Sequence, residues 1–201
     1  MPDAVNALDF ARSLTNALPV DWNVEEPVEG SKNWTQFMAR RLQAAARELN
    51  LAACSTSIEA PRDWAPSMMK TGWAREFLFD YTLFSDWGTF TQPVVILEHE
   101  NNWNVHSFME DFWKLMVGYA PLRVMIGYGR DANHVEEYVT AIRESAIKGK
   151  WRYPPAVEDL VLIGHGEMTP RGFKVVNRRA ESQEWVEWPD LASYLRQGTG
   201  T

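Results

Sequence analysis

Apolar and polar positions recur along this chain with two different periods, and each change of period marks an element. From residue 4 to 17, AVNALDFARSLTNA sets its apolar side chains at helical spacing and stops before Pro19, which predicts a first helix. NWTQFMARRLQAAARELN repeats that spacing with strong helix formers, an Asn33 cap and an apolar stripe through Phe37, Leu42, Ala45 and Leu49, predicting a helix from Trp34 to Leu49. The acidic DWNVEEPVEG between them, carrying Pro27 and Gly30, reads as a linker. Beyond a loop rich in Ser, Thr and Pro over residues 55–67, REFLFDYTLF and TQPVVILEHE are dense in aromatic and β-branched residues. A turn signal at Asp86–Gly88 separates them, so they are expected to pair as an antiparallel hairpin. HSFMEDFWKLMVGY returns to helical spacing, with Phe108, Phe112, Leu115 and Tyr119 near one face, and PLRVMIGYG is a short apolar strand. A helix over about 132–147, a strand at DLVLIG and a strand or hairpin at GFKVVNRRAESQEWVEW complete the pattern. The mixture predicts an α/β fold in which a central mixed β-sheet is flanked by helices, in a single domain over 33–201 preceded by a helix and acidic linker over 1–32.

Composition narrows the function classes. The longest apolar runs are broken by Asp80, Glu98 and Lys114, short of the ~20 residues a membrane-spanning helix needs. The opening MPDAVNALDF carries acids where a secretory signal carries Lys or Arg, and Cys54, the one cysteine, has no internal partner, so a reducing, cytoplasmic setting is expected. A net charge of −7 removes any attraction of the chain as a whole for nucleic acid. Basic clusters at Arg143–Lys148–Lys150–Arg152 and Arg171–Lys174–Arg178–Arg179 leave two readings, a solvated surface or a face that binds a phosphate backbone. Of the ten Trp most should be core, while Trp185 and Trp188 in QEWVEWPD fit either core or a partner surface.

Candidate chemistry concentrates in VVILEHENN. A nearly continuous apolar run marks a strand buried on both faces, yet it ends in Glu98 and Glu100, which point to one side because side chains alternate. At the ~6.7 Å spacing of a regular strand, two carboxylates repel by about 2.4 kcal/mol at an effective dielectric near 20. Such a pair needs a cation, a basic partner or a raised pKa. Asp80 interrupts the apolar FLFDYTLF in the same way, and the expected hairpin brings it near both glutamates. Three converging carboxylates are oxygen ligands suited to Mg²⁺ or Mn²⁺; the alternative is that the strand leaves the core at Leu97 and both glutamates are solvated. His99 should point away from the glutamates, His165 in IGHGE reads as a turn histidine, and Cys54 as a small buried hydrophobe. No His or Cys spacing fits a closed zinc site, and GxxxxGK[ST], GxGxxG and GxSxG are absent, which removes support for NTPase, dehydrogenase and serine-hydrolase readings.

In the order of its elements over roughly 33–130, and in the acids of LFDYT and LEHE, the chain resembles the PD-(D/E)xK nuclease superfamily. The resemblance implies a restriction endonuclease-like core: a helix, a three-stranded antiparallel meander, a helix and a further strand, with 131–201 adding a C-terminal helix and strands. It places the family's first acid on Asp80, its second on Glu98 and its lysine position on Glu100, a departure known in some restriction enzymes of this fold. No Pro precedes Asp80. A basic residue on the following helix is another variation, and Lys114 in EDFWKLM is placed for it, although Lys114 can equally pair with Asp111 at i, i+3. Glu48 in ARELN is an extra helix-borne acid of the kind such folds carry. The resemblance implies Mg²⁺- or Mn²⁺-dependent hydrolysis of DNA with Asp80, Glu98, Glu100 and Lys114 at the site, and pairing of two copies as a homodimer. The other reading is a catalytically silent relative that acts as an interaction or regulatory module.

Overall fold

A computed structural model describes residues 5–19, 31–55, 79–85, 92–148, 156–165 and 172–197. The acidic linker, nearly all of the Ser-, Thr- and Pro-rich loop, the first residues of REFLFDYTLF, the Asp86–Gly88 turn, and Lys150, Arg152 and Arg171 lie outside them.

The first helix, α1 (Ala7–Ala17), starts where the Asn6 side chain accepts the Asp9 N–H at 2.9 Å, and it buries Phe10, Ala11 and Leu14. The second, α2 (Ser31–Glu48), begins before the expected Trp34 start, so Asn33 lies inside the first turn rather than capping it. An Asn there costs only a few tenths of a kcal/mol, too little to hold the boundary against the favourable residues that follow. Seven strands then form one sheet in chain order: β1 (Ala52–Ser55), β2 (Tyr81–Phe84), β3 (Val95–Glu100), β4 (Leu122–Gly129), β5 (Glu158–His165), β6 (Lys174–Arg178) and β7 (Trp185–Trp188). β1, β2 and β3 are an antiparallel meander, β3, β4 and β5 run parallel, and β5, β6 and β7 are antiparallel again. The expected hairpin is β2–β3, with Tyr81 opposite Leu97.

Parallel neighbours need crossovers. Here α3 (Val105–Val117) joins β3 to β4 and α4 (Ala132–Lys148) joins β4 to β5. Both crossovers pack on one face, where Ile96, Met125, Val161 and Ile163 meet Phe108, Phe112, Tyr138 and Ile142. On the other face, Val95, Leu97, Val124, Ile126, Leu160 and Leu162 meet α1, α2 and the short α5 (Leu191–Arg196). The central strands are thus covered on both sides, which is why they read as unbroken apolar runs. The result is an α/β protein with a seven-stranded mixed sheet between two helical layers, and no described helix is long and apolar enough to cross a membrane.

Three members of the basic clusters are tied to acids in this frame. Arg178 is fully buried: with Arg123 it grips Asp159, Arg123 by two bonds of 2.6 and 3.1 Å and Arg178 by one of 2.6 Å. Lys174 and Arg143 pair with Glu187, and Lys174 also with Glu136 at 3.1 Å, so these members of the basic clusters are held by local acids. Trp185 and Trp188 are half-buried against opposite cores, Trp185 near Phe112 and Trp188 near Tyr194. The large apolar side chains most exposed among the described residues are instead Trp103, Trp113, Val117 and Tyr119, on and beside α3.

Candidate active site

Beside the carboxyl half of β3, the sheet and α3 come unusually close. Gly127, opposite Glu100 on β4, leaves no room for a side chain: a Cβ there would stand 2.4 Å from the Phe108 ring. Phe108 in turn stacks on Tyr138, with ring centroids 4.6 Å apart, so α3 is seated against the strands from which the glutamates project.

Glu98 and Glu100 lie on the α3 face, as their spacing requires, and His99 lies on the opposite face, as expected. Glu98 is 1% exposed, and its Oε1 stands 2.6 Å from Lys114 Nζ. Lys114 also reaches Asp111 Oδ1, at 3.7 Å. The helical i, i+3 pair and the cross-element pair therefore coexist, and the buried carboxylate is the closer partner. Burial pushes the Glu98 carboxyl up to about 8; the charge of Asp80 adds to this and Lys114 opposes it. Asp111 is pushed up to about 6 by burial, against Lys114 and with the charges of Asp80, Glu100 and Glu110. The carboxylates of Glu98, Asp111 and Asp80 hold Lys114 above its ordinary pKa against the effect of burial.

Asp80 precedes the Tyr81–Leu97 rung by one residue, so it sits where β2 has not yet begun to pair with the end of β3. The His99 N–H, with no β2 carbonyl to bind there, donates to the Asp80 carboxylate at 2.9 Å. That bond ties the acid to the main chain between the two glutamates. Glu100 accepts the Asn102 N–H at 2.6 Å, turning its carboxylate toward the loop that leads into α3. The His99 ring contacts Tyr128 Oη at 3.2 Å, and burial lowers its pKa to about 4, so the imidazole is neutral.

The structure thus brings Asp80, Glu98, Glu100 and Lys114 to one end of β3, and adds Asp111, which the sequence offered only as a partner for Lys114. Glu48 goes elsewhere: it is exposed and accepts a hydrogen bond from Asn16 of α1 at 2.8 Å. Cys54 is buried in β1, its thiol pushed up to about 12, and His165 ends β5 opposite Gly129. Among the described residues no three His, Cys, Asp or Glu side chains form a group that could hold a metal ion as they stand. Glu98, Asp111 and Asp80 act on the Lys114 ammonium, and Glu100 acts on Asp111, so the four carboxylates form one electrostatically linked cluster in which Glu98 and Asp111 have raised pKa values. No family model, curated protein or solved structure matches the chain.

Proposed function

We propose that this protein is a metal-dependent nuclease acting on DNA, with Asp80, Glu98 and Glu100 as ligands for Mg²⁺ or Mn²⁺ and Lys114 beside them. The observation that carries the reading is the burial of Glu98 against Lys114 next to Asp80, an arrangement costly to maintain for structure alone. Order of elements supports it: α2, the β1–β2–β3 meander, α3 and β4 follow one another as in the restriction endonuclease-like core of PD-(D/E)xK nucleases.

A divalent cation held by these carboxylates would polarise the phosphate and lower the pKa of the attacking water. The chain's own groups divide the remaining work. Asp80 is held in place by the His99 N–H and so keeps its carboxylate beside Glu98. Lys114 lies between Glu98 and Asp111 and is one-third exposed, so its ammonium can turn from Glu98 to the phosphate oxygens as charge builds on them. Glu100, partly exposed at the strand end, either joins Asp80 and Glu98 on the metal or accepts the water's proton, in each case once it releases Asn102.

A second reading has its own observation: with Lys114 on Glu98 and Asn102 on Glu100, the acids are already partnered, as in a silent relative serving as an interaction module. Incubation with plasmid and with single-stranded DNA in Mg²⁺ or Mn²⁺, with Asp80→Ala as control, separates them. Cleavage that the control lacks establishes the nuclease, and no cleavage of either substrate with either metal establishes the silent reading. A homodimer in a cytoplasmic setting belongs to the same proposal; a monomer mass in light scattering would remove the dimer.

A further inference from the structure

β3 and β4 run parallel with Glu100 opposite Gly127, and three residues beyond that rung stand Trp103 on one chain segment and Arg130 on the other. Each sits two residues before a helix, α3 at Val105 and α4 at Ala132. They therefore occupy the same position in successive strand–loop–helix units, at the carboxyl edge of the parallel strands, where open α/β sheets meet their ligands. Both loops are pinned by their own polar groups. Asn101 donates to Thr35 Oγ1 at 2.6 Å, Asn102 N–H to Glu100, and Asn104 accepts the His106 N–H at 2.8 Å. The Arg130 N–H donates to His134 Nδ1 at 3.2 Å, and Asp131 accepts the His134 N–H at 3.0 Å.

By contrast, neither the Trp103 indole nor the Arg130 guanidinium has a hydrogen bond, ion pair or ring contact among the described residues. Trp103 is 53% exposed and Arg130 is exposed. A rigid loop that presents a bare indole three residues from a site carboxylate offers a flat apolar face with little ordering left to lose on binding. An unpaired guanidinium one strand away is suited to a phosphate, and a local cation matters more here because the chain's net charge of −7 does not draw in a polyanion.

We infer that Trp103 and Arg130 bind the substrate strand, the indole stacking on an unpaired nucleobase and the guanidinium taking a backbone phosphate, so that the substrate is DNA with a single-stranded stretch at the site. Stacking on an exposed Trp requires a base with a free face, which an intact duplex lacks. The inference rests on the nuclease reading of the neighbouring carboxylates. The test uses the full chain, a short fluorescent single-stranded oligonucleotide and its blunt duplex, with Ca²⁺ as the cation, read by anisotropy over a range of salt.

Wild type is expected to prefer the single strand. Trp103→Ala should weaken single-strand binding about ten-fold, with Trp103→Phe restoring most of it. Arg130→Gln should weaken binding and reduce the slope of log K against log salt by about 0.7. Melting temperatures should hardly move, because neither side chain has a hydrogen bond, ion pair or ring contact to lose among the described residues. Unchanged affinity and salt slope in the variants, or a preference for the duplex, overturns the inference. If wild type cleaves DNA while the variants bind as it does, this inference falls and the nuclease stands. If single-strand binding depends on both residues but no metal supports cleavage, the binding site stands and the catalytic reading falls. Wild type that neither binds nor cleaves removes both.

Discussion

Replacing Asp159 by Asn tests the electrostatic frame on which the sheet is built. Asp159 is 1% exposed and lies between Arg123 and Arg178, at 1% and 0%, so the three groups carry one net positive charge away from water. Asn keeps the shape and one acceptor but strands two guanidinium groups without a counter-charge. Breaking a buried pair this way costs about 3–5 kcal/mol. Some bonds survive: Arg123 still reaches the Met116 carbonyl at 3.0 Å, and Arg178 the Val157 carbonyl at 2.9 Å and Gln183 Oε1 at 2.7 Å. The expected loss is therefore near the lower figure, a large share of the ~5–15 kcal/mol by which domains are stable. Arg178→Met should cost less, because the two-bond Arg123–Asp159 pair remains and is neutral. Urea unfolding followed by circular dichroism, with the slope of the transition compared between proteins, measures both. An Asp159→Asn loss below about 1 kcal/mol, or a larger loss for Arg178→Met, would refute the reasoning.

Three further substitutions have expected outcomes. In chelator at pH 7, Glu98→Gln should leave melting unchanged or raise stability by up to about 3 kcal/mol, since a carboxyl raised from 4.5 to about 8 loses stability as pH climbs through that window. The same substitution should abolish most of the thermal stabilisation that millimolar Mg²⁺ or Mn²⁺ gives wild type, and wild-type melting indifferent to metal would count against the site. His99, lowered from 6.5 to about 4, contributes stability that is complete above pH 6.5 and lost as pH falls toward 4; His99→Gln in chelator should flatten this acid limb, and an unaltered limb would show that other groups set it. Gly127→Ala should cost about 1–3 kcal/mol by driving a methyl into the Phe108 ring, which Tyr138 holds from behind, and a neutral result in urea unfolding would mean that α3 can move away.

The sequence by itself determined the α/β class, α1, α2, the β2–β3 hairpin, α3, β4, α4, β5 and the strands at the C-terminal side, though not the short α5, because strands covered on two faces must be apolar throughout and amphipathic helices must repeat near 3.6 residues. It also determined that Glu98 and Glu100 share a face and that His99 does not, since strand periodicity allows no other arrangement. β1 escaped because AACS has little strand preference of its own; its ladder with β2, Ala52 opposite Phe84, makes it a strand. Asp80 and Glu98 were legible as charges interrupting apolar runs. The same signal was present in Arg123 of PLRVMI and in Asp159 ahead of LVLIG, where it marks a buried ion network rather than a site. Only the tertiary structure decided which acid holds Lys114 more closely, because Asp111 is a neighbour along the helix while Glu98 becomes one only when Gly127 lets α3 settle on the sheet. It alone also placed Trp185 and Trp188 against opposite cores and left Trp103 bare. Burial of one side chain is a property of everything packed around it, and no local pattern of residues contains that information.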